Sequence, residues 1–285
     1  EERVAQLRIE YPDHNTEVLR IRARGELAQE AINNPSATLS SRSDGVLQAI
    51  AGDLIIVTYE DVLNDYGNAE TLVTNAVYGG WSGDVSGTWA AANSPYVVTG
   101  DIFVESNETL TIEPGVEVRF YGDFSFYIYG SLIAQGTEND SIYFLNHIDS
   151  DNDAIGNWNG LKFYGWNNPS QFTMSYISVS GSDHSGIEMS DLYSTVVSME
   201  HSSSHQNNGA GLYLYYLSDI EDQMLISHSR FVGNNGHGML TYYTSYENYQ
   251  NRNFSVSNTL FENNNDAGFY LAYQSGGSFT GCSFI

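Results

Sequence analysis

Between Phe172 and Ile285 the chain repeats itself, and four glycines set the phase: Gly186, Gly211, Gly238 and Gly268, spaced 25, 27 and 30 residues apart. One residue after each stands an apolar side chain (Ile187, Leu212, Met239, Phe269), and three after stands Met189, Leu214, Thr241 or Leu271. That alternation belongs to a strand. Three residues before the glycines stand Asp183, Asn208, Asn235 and Asn265, preceded by Ser182, Asn207, Asn234 and Asn264. Short amide side chains suit tight turns and can bond along a stack of equivalent turns. Further upstream, Phe172 and Met174, Val197 and Met199, Met224 and Ile226, and Phe254 and Val256 hold one column pair, and Val179, Ser204, Phe231 and Phe261 another. No helical period accompanies them. A self-similar unit of this length predicts an all-β solenoid, because no single unit can bury its apolar row and each must stack on its neighbour.

The first 80 residues differ, holding six arginines (Arg3, Arg8, Arg20, Arg22, Arg24, Arg42). Val18 to Arg24 alternates like a half-exposed strand, residues 25–32 have the composition of a short helix, and Leu54 to Tyr59 is strongly β-favouring. The words Asp44-Gly45-Val46-Leu47-Gln48 and Gly52 to Asp61, followed by Gly67-Asn68, resemble the last strands of Ig-like sandwich modules of bacterial surface proteins. The reading is a partial β-sandwich-like segment over 1–80, a Gly79-Gly80-Trp81-Ser82-Gly83 linker, and the solenoid over 81–285.

A second resemblance follows the linker. Ser86-Gly87-Thr88-Trp89, Ser94 to Ile102, Leu110 to Phe120, Gly130 to Thr137 and Trp158 to Phe163 occur in that order. Together they resemble the first coils of right-handed parallel β-helix domains of secreted bacterial proteins, the pectin-lyase-like superfamily in its broad sense. The resemblance implies a right-handed parallel β-helix, the sense expected of parallel crossovers, and an extracellular or cell-surface location. It implies no single activity, since that superfamily includes lyases, hydrolases, adhesins and structural stalks. The chain begins in mid-pattern at Glu1, and Gly281 to Ile285 opens another coil, so a segment cut from a larger protein is expected.

Charge narrows the partners. Lys plus Arg number 10 against 35 Asp plus Glu, a formal charge of -25. Nucleic acid and anionic membranes are bound through clustered cations, so neither is an expected partner. Polyuronates would be repelled as well unless a divalent cation intervened. No apolar run is long enough to cross a membrane, and the single cysteine, Cys282, has no partner within the chain for a disulfide.

Several residues have chemistry to offer. Asp149, Asp151 and Asp153 alternate as carboxylates do in calcium loops, although Ala154 replaces the usual glycine and Gly160 stands where the closing Glu belongs. Calcium is the cofactor expected there, and a solvated acidic loop is the other reading. His201 and His228 share a column, either as a shared metal site or as a stacked polar ladder. Gly236-His237-Gly238 matches one word of polygalacturonase-like hydrolases, and its second glycine already belongs to the repeat. Asp183 and Asp266 lie three coils apart, about 14 Å at the coil spacing, too far for the paired carboxyls of an inverting glycosidase. A lyase needs a base and a cation; the solenoid's only cations are Arg119, Lys162, Arg230 and Arg252, and Arg230 falls beside His205. If the chain is an enzyme, Arg230, His237, His205 and Asp183 are its candidates. The repeat also places Tyr213, Tyr215, Tyr216, Tyr242, Tyr243, Tyr270 and Tyr273 close together, several on an outer face, as a stripe suited to sugar rings or a protein partner. The expectation is an extracellular structural or adhesive solenoid that meets a polysaccharide, a cell-surface protein or a copy of itself. The alternative is a polysaccharide lyase or glycoside hydrolase.

Overall fold

The computed structural model describes residues 80–147, 156–165, 170–192, 195–217, 224–242, 254–272 and 277–285, together with the backbone of six strands between 2 and 78. The chain divides into two compact units, Glu1–Trp81 and Ser82–Ile285.

In the first unit the strands are β1 (Glu2–Glu10), β2 (Thr16–Arg24), β3 (Leu39–Ser40), β4 (Val46–Leu47), β5 (Leu54–Glu60) and β6 (Asn75–Tyr78). An antiparallel sheet runs β2-β1-β5-β6, and β3 pairs with β4. The strands expected around 18–24 and 54–59 are present; the short helix expected over 25–32 lies outside the described residues.

The second unit is a parallel β-solenoid in which each coil contributes up to three short strands, one to each of three faces. Face A stacks eight strands: Gly87–Trp89, Thr109–Ile112, Ser131–Gln135, Gln171–Ser175, Val196–Glu200, Met224–Ser227, Phe254–Ser257 and Gly277–Thr280. The long strand Tyr96–Val104 starts both other faces, its first half pairing with Glu117–Phe120 and its second with Phe126–Ile128. Face B continues through Ile142–Asn146, Ile177–Ser180, Ser203–His205, Arg230–Val232, Leu260–Glu262 and Ser283–Phe284. Face C continues through Leu161–Tyr164, Ile187–Ser190, Leu212–Tyr215, Met239–Tyr242 and Phe269–Ala272.

Register is one-to-one from coil to coil, so among the described residues the strand columns predicted from the repeat are columns of stacked side chains. Leu110, Leu132, Phe172, Val197, Met224 and Phe254 line up inward on face A, and all are buried. Burying each such side chain stabilises the coil by about 1.5–3 kcal/mol, which is why a stack folds where one coil cannot. Two inward strand positions with no exposure, Ser204 and Thr241, are polar. Ser204 donates to the Gly211 carbonyl at 2.7 Å and accepts from Asn207 Nδ2 at 3.1 Å, whereas the buried Thr241 hydroxyl has no partner among the described residues.

Corners make the strands short. Between faces A and B, Tyr176, His201, His228 and Asn258 all adopt left-handed backbone, with φ of 48°, 48°, 49° and 48°. Between faces B and C, Gly181, Gln206, Gly233 and Asn263 do the same. A single left-handed residue turns the chain and lets the next strand begin at once.

Candidate functional site

The outer side of face C carries the aromatic residues. Strand alternation sends Ile187 and Met189, Leu212 and Leu214 inward, so the residues between them face out. Coil pairing aligns Phe103, Tyr127, Lys162, Glu188, Tyr213, Leu240 and Tyr270 in one outer row. Tyr164, Ser190, Tyr215 and Tyr242 form a second, parallel row. From Phe103 to Tyr270 there are six coil steps, about 29 Å at the usual strand spacing.

The rings gather into two clusters. In the first, Phe103 stacks on Tyr127 at 5.2 Å, Tyr129 on Tyr164 at 5.5 Å and Tyr127 on Tyr164 at 6.4 Å between centroids. In the second, Tyr215 stacks on Tyr242 at 5.8 Å, with Tyr213 at 5.9 Å and Tyr216 edge-on at 4.5 Å. An ion pair separates them: Lys162 Nζ lies 3.2 Å from Glu188 Oε2, and the Ser190 hydroxyl donates to Glu188 Oε1 at 3.3 Å. Burial, with Glu188 and the neighbouring phenols adding to it, pushes Tyr164 up to about 12. Burial also raises Tyr129 and Tyr213, the latter helped by Glu188. These phenols keep their protons at neutral pH and offer a flat apolar ring with a hydroxyl at its edge.

Of the tyrosines singled out from sequence, Tyr213, Tyr215, Tyr242 and Tyr270 face outward on face C. Tyr216 sits on the following corner in left-handed backbone, φ 48°, and Tyr270 stacks on His237 at 4.9 Å. Tyr243 and Tyr273 lie outside the described residues, as do Asp149, Asp151 and Asp153 of the expected calcium loop. Phe103, Tyr127, Tyr129 and Tyr164 were not singled out from the sequence; they lie in coils that precede the glycine phase.

The candidate enzyme residues are spread over the surface. His205 and Arg230 share face B: His205 Nε2 is 3.1 Å from the Ser178 hydroxyl, and the largely exposed Arg230 guanidinium is 3.9 Å from Glu262. Burial holds the His205 imidazole below its ordinary 6.5; a Gln206 hydrogen bond opposes that shift and the Arg230 charge adds to it. His237 lies on the corner before face C, accepting from the Ala267 N–H at 3.1 Å, with Asp266 3.9 Å away. Asp183 is the end of a ladder: Asn208 Nδ2 donates to it at 3.0 Å, Asn235 Nδ2 donates to Asn208 at 2.8 Å, and Asn265 donates to Asn235. The companions Asn207 and Asn234, both buried, and Asn264, partly buried, bond in the opposite sense, each of the first two donating its Nδ2 to the next at 2.9 Å. His201 and His228 stack at 4.9 Å, and among the described residues no three His, Cys, Asp or Glu side chains form a group that could hold a metal ion. No helix among the described residues is long and apolar enough to cross a membrane. Comparisons with protein-family models, with curated proteins and with solved structures found no match for the chain.

Proposed function

We propose that this chain is the structural and adhesive part of an extracellular or cell-surface protein. It is a right-handed parallel β-helix of the pectin-lyase-like kind, carried behind an Ig-like module, and it holds a neutral polysaccharide along face C. The two outer aromatic rows carry this reading. The two clusters of stacked rings give a sugar polymer two apolar platforms along one face, and the protonated phenols give it hydrogen-bond donors. The formal charge of -25 disfavours acidic polymers. Rigidity comes from the inter-coil ladders, which suits a stalk or adhesin. Calcium at Asp149, Asp151 and Asp153 would be an accessory to that role.

One feature keeps an enzyme in view: Arg230 and His205, a cation and a candidate base, lie on adjacent strands of face B, two positions apart in register. The test is affinity electrophoresis and a depolymerisation screen of the whole chain against neutral and acidic polysaccharides, with calcium and with chelator. Retardation by a neutral polymer is expected, weakened roughly tenfold in a Tyr215→Ala/Tyr242→Ala double variant, since two stacking contacts of about 0.5–1.5 kcal/mol are removed. Arg230→Ala is expected to bind as before. Polymer cleavage that Arg230→Ala or His237→Ala abolishes would make the chain an enzyme. No response to any polysaccharide would send the search to protein partners or a second copy of the chain.

A further inference from the structure

The corner between faces B and C holds a polar groove of about 440 Å³, within the size range of small-ligand sites. Its walls include Asn157, Asp183, Gln206, Asn208, Gly233 and Asn235. It has no aromatic lining and belongs to the amide ladder, not to the tyrosine rows.

Hydrogen-bond capacity on this wall is only half used. An amide side chain has two N–H donors and two acceptor lone pairs. Asn208 and Asn235 each spend one N–H on the preceding coil and one lone pair on the following one. Among the described residues one donor and one acceptor per coil therefore remain, repeating at about 4.8 Å. The Asn157 backbone N–H is held by Asp123 at 2.8 Å, while its side-chain amide has no partner among the described residues. Among the described residues the exposed Asp183 carboxylate accepts from Asn208 alone.

One side of the groove is left open by an exposed glycine, Gly233. At this corner Gly181, Gln206, Gly233 and Asn263 all take left-handed backbone, with φ of 72°, 54°, 64° and 54°. The corner thus accepts side chains, Asn included. A Cβ on Gly181 would meet Asn146 Nδ2 at 2.9 Å, but one on Gly233 would meet nothing within 4 Å. The missing side chain at 233 leaves space without being required by the backbone next to it.

We infer that this groove is a binding site for a neutral sugar residue, with Asp183 accepting from a pair of adjacent hydroxyls and the Asn208, Asn235 and Asn157 amides exchanging hydrogen bonds with the others. A hydroxyl is both donor and acceptor, as is each free amide edge. Anions meet Asp183 and the negative field of the whole chain. A hard cation needs six to eight oxygens, and one carboxylate does not supply that charge. The assignment does not rest on face C, although both sites take sugars.

The test is saturation-transfer NMR on the whole chain with the methyl glycosides of glucose, galactose and mannose as probes, glucuronate and calcium chloride as competitors. At least one neutral glycoside is expected to bind saturably. Gly233→Asn, which adds to the groove lining a side chain that the corner already accommodates, and Asp183→Asn, which keeps the ladder but removes the charge, are each expected to weaken it tenfold or more. Their urea midpoints should match the unaltered chain. Each groove variant is also read in the Tyr215→Ala/Tyr242→Ala background, where the face C stacking contacts are gone, so the groove and face C stand or fall separately. Absence of saturable binding, unchanged binding in Gly233→Asn, or displacement by glucuronate or calcium would overturn the assignment.

Discussion

His205 shows what the stack does to a single titratable side chain. Its ring lies between the Ser178 hydroxyl, the Gln206 side chain and the Arg230 charge, and burial is the largest reason its imidazolium is disfavoured. An unfolded histidine takes its proton near 6.5. Below that pH the unfolded chain binds a proton that the folded chain refuses, so folding loses stability as pH falls. The stability tied to neutral His205 is complete above 6.5 and is lost as pH drops from there through the folded value. An NMR titration of the histidine ring protons is expected to place His205 below 6.5, and Arg230→Ala to move it back upward by removing the repelling charge. Between about pH 7 and 5 the urea midpoint should fall more steeply for the unaltered chain than for His205→Gln. A midpoint for His205 at or above 6.5 would contradict the burial seen on face B.

At the scale of the coil, the repeat glycines are set by a close approach and not by a turn. None of Gly186, Gly211, Gly238 and Gly268 has left-handed backbone. A Cβ on Gly211 would lie 2.7 Å from the Gly238 carbonyl oxygen, 2.8 Å from Asn234 Nδ2 and 2.9 Å from Phe231 Cδ1. The first two belong to the next coil's backbone and to the buried amide ladder, which cannot give way without breaking inter-coil bonds. Gly211→Ala is therefore expected to cost about 1–3 kcal/mol, as overpacking does, read as a lower urea midpoint at constant slope. An unchanged midpoint would mean that the coils part at little cost. The same geometry explains what could be read beforehand. From Phe172 onward, nearly equal glycine spacings exposed the inward columns, both asparagine ladders and the His201–His228 stack. Earlier coils differ in length: Leu110 and Leu132 are 22 residues apart, Leu132 and Phe172 are 40, yet they are direct neighbours on face A. Without a common phase, Tyr127, Tyr129 and Tyr164 could not be aligned with Tyr213 and Tyr215, although the alternation of Phe126, Tyr127 and Ile128 was a signal within reach. Tyr216 shows the opposite limit, since it shares a column with Asp191 and both prove to be corner residues. The groove was not legible, because it depends on which amide edges the ladder leaves free.

For the solenoid unit as a whole, charge is the dominant unbalanced term. From Ser82 onward there are four cations and 22 acidic residues. The three cations among the described residues each stand beside a carboxylate: Arg119 with Glu117, Lys162 with Glu188 and Arg230 with Glu262. Partly exposed pairs of this kind contribute about 0–1 kcal/mol each. The remaining acids repel one another, and a net charge far from zero weakens the compact state. Salt shortens the reach of that repulsion from about 30 Å at 0.01 M to about 3 Å at 1 M. It weakens the three pairs too, but they are the smaller term. The thermal midpoint is therefore expected to rise as sodium chloride increases from about 0.01 to 0.5 M; chloride is preferred to sulfate, whose exclusion from protein surface stabilises by another route. A falling midpoint would mean that the three pairs outweigh the surplus acids. Neutral-sugar binding involves no net charge transfer to the ligand and should hold constant over the same range. An acidic polymer, if it bound at all, would do so only as the field is screened. The surplus charge thus acts as a filter on ligands and as a strain on the fold, and one salt series measures both.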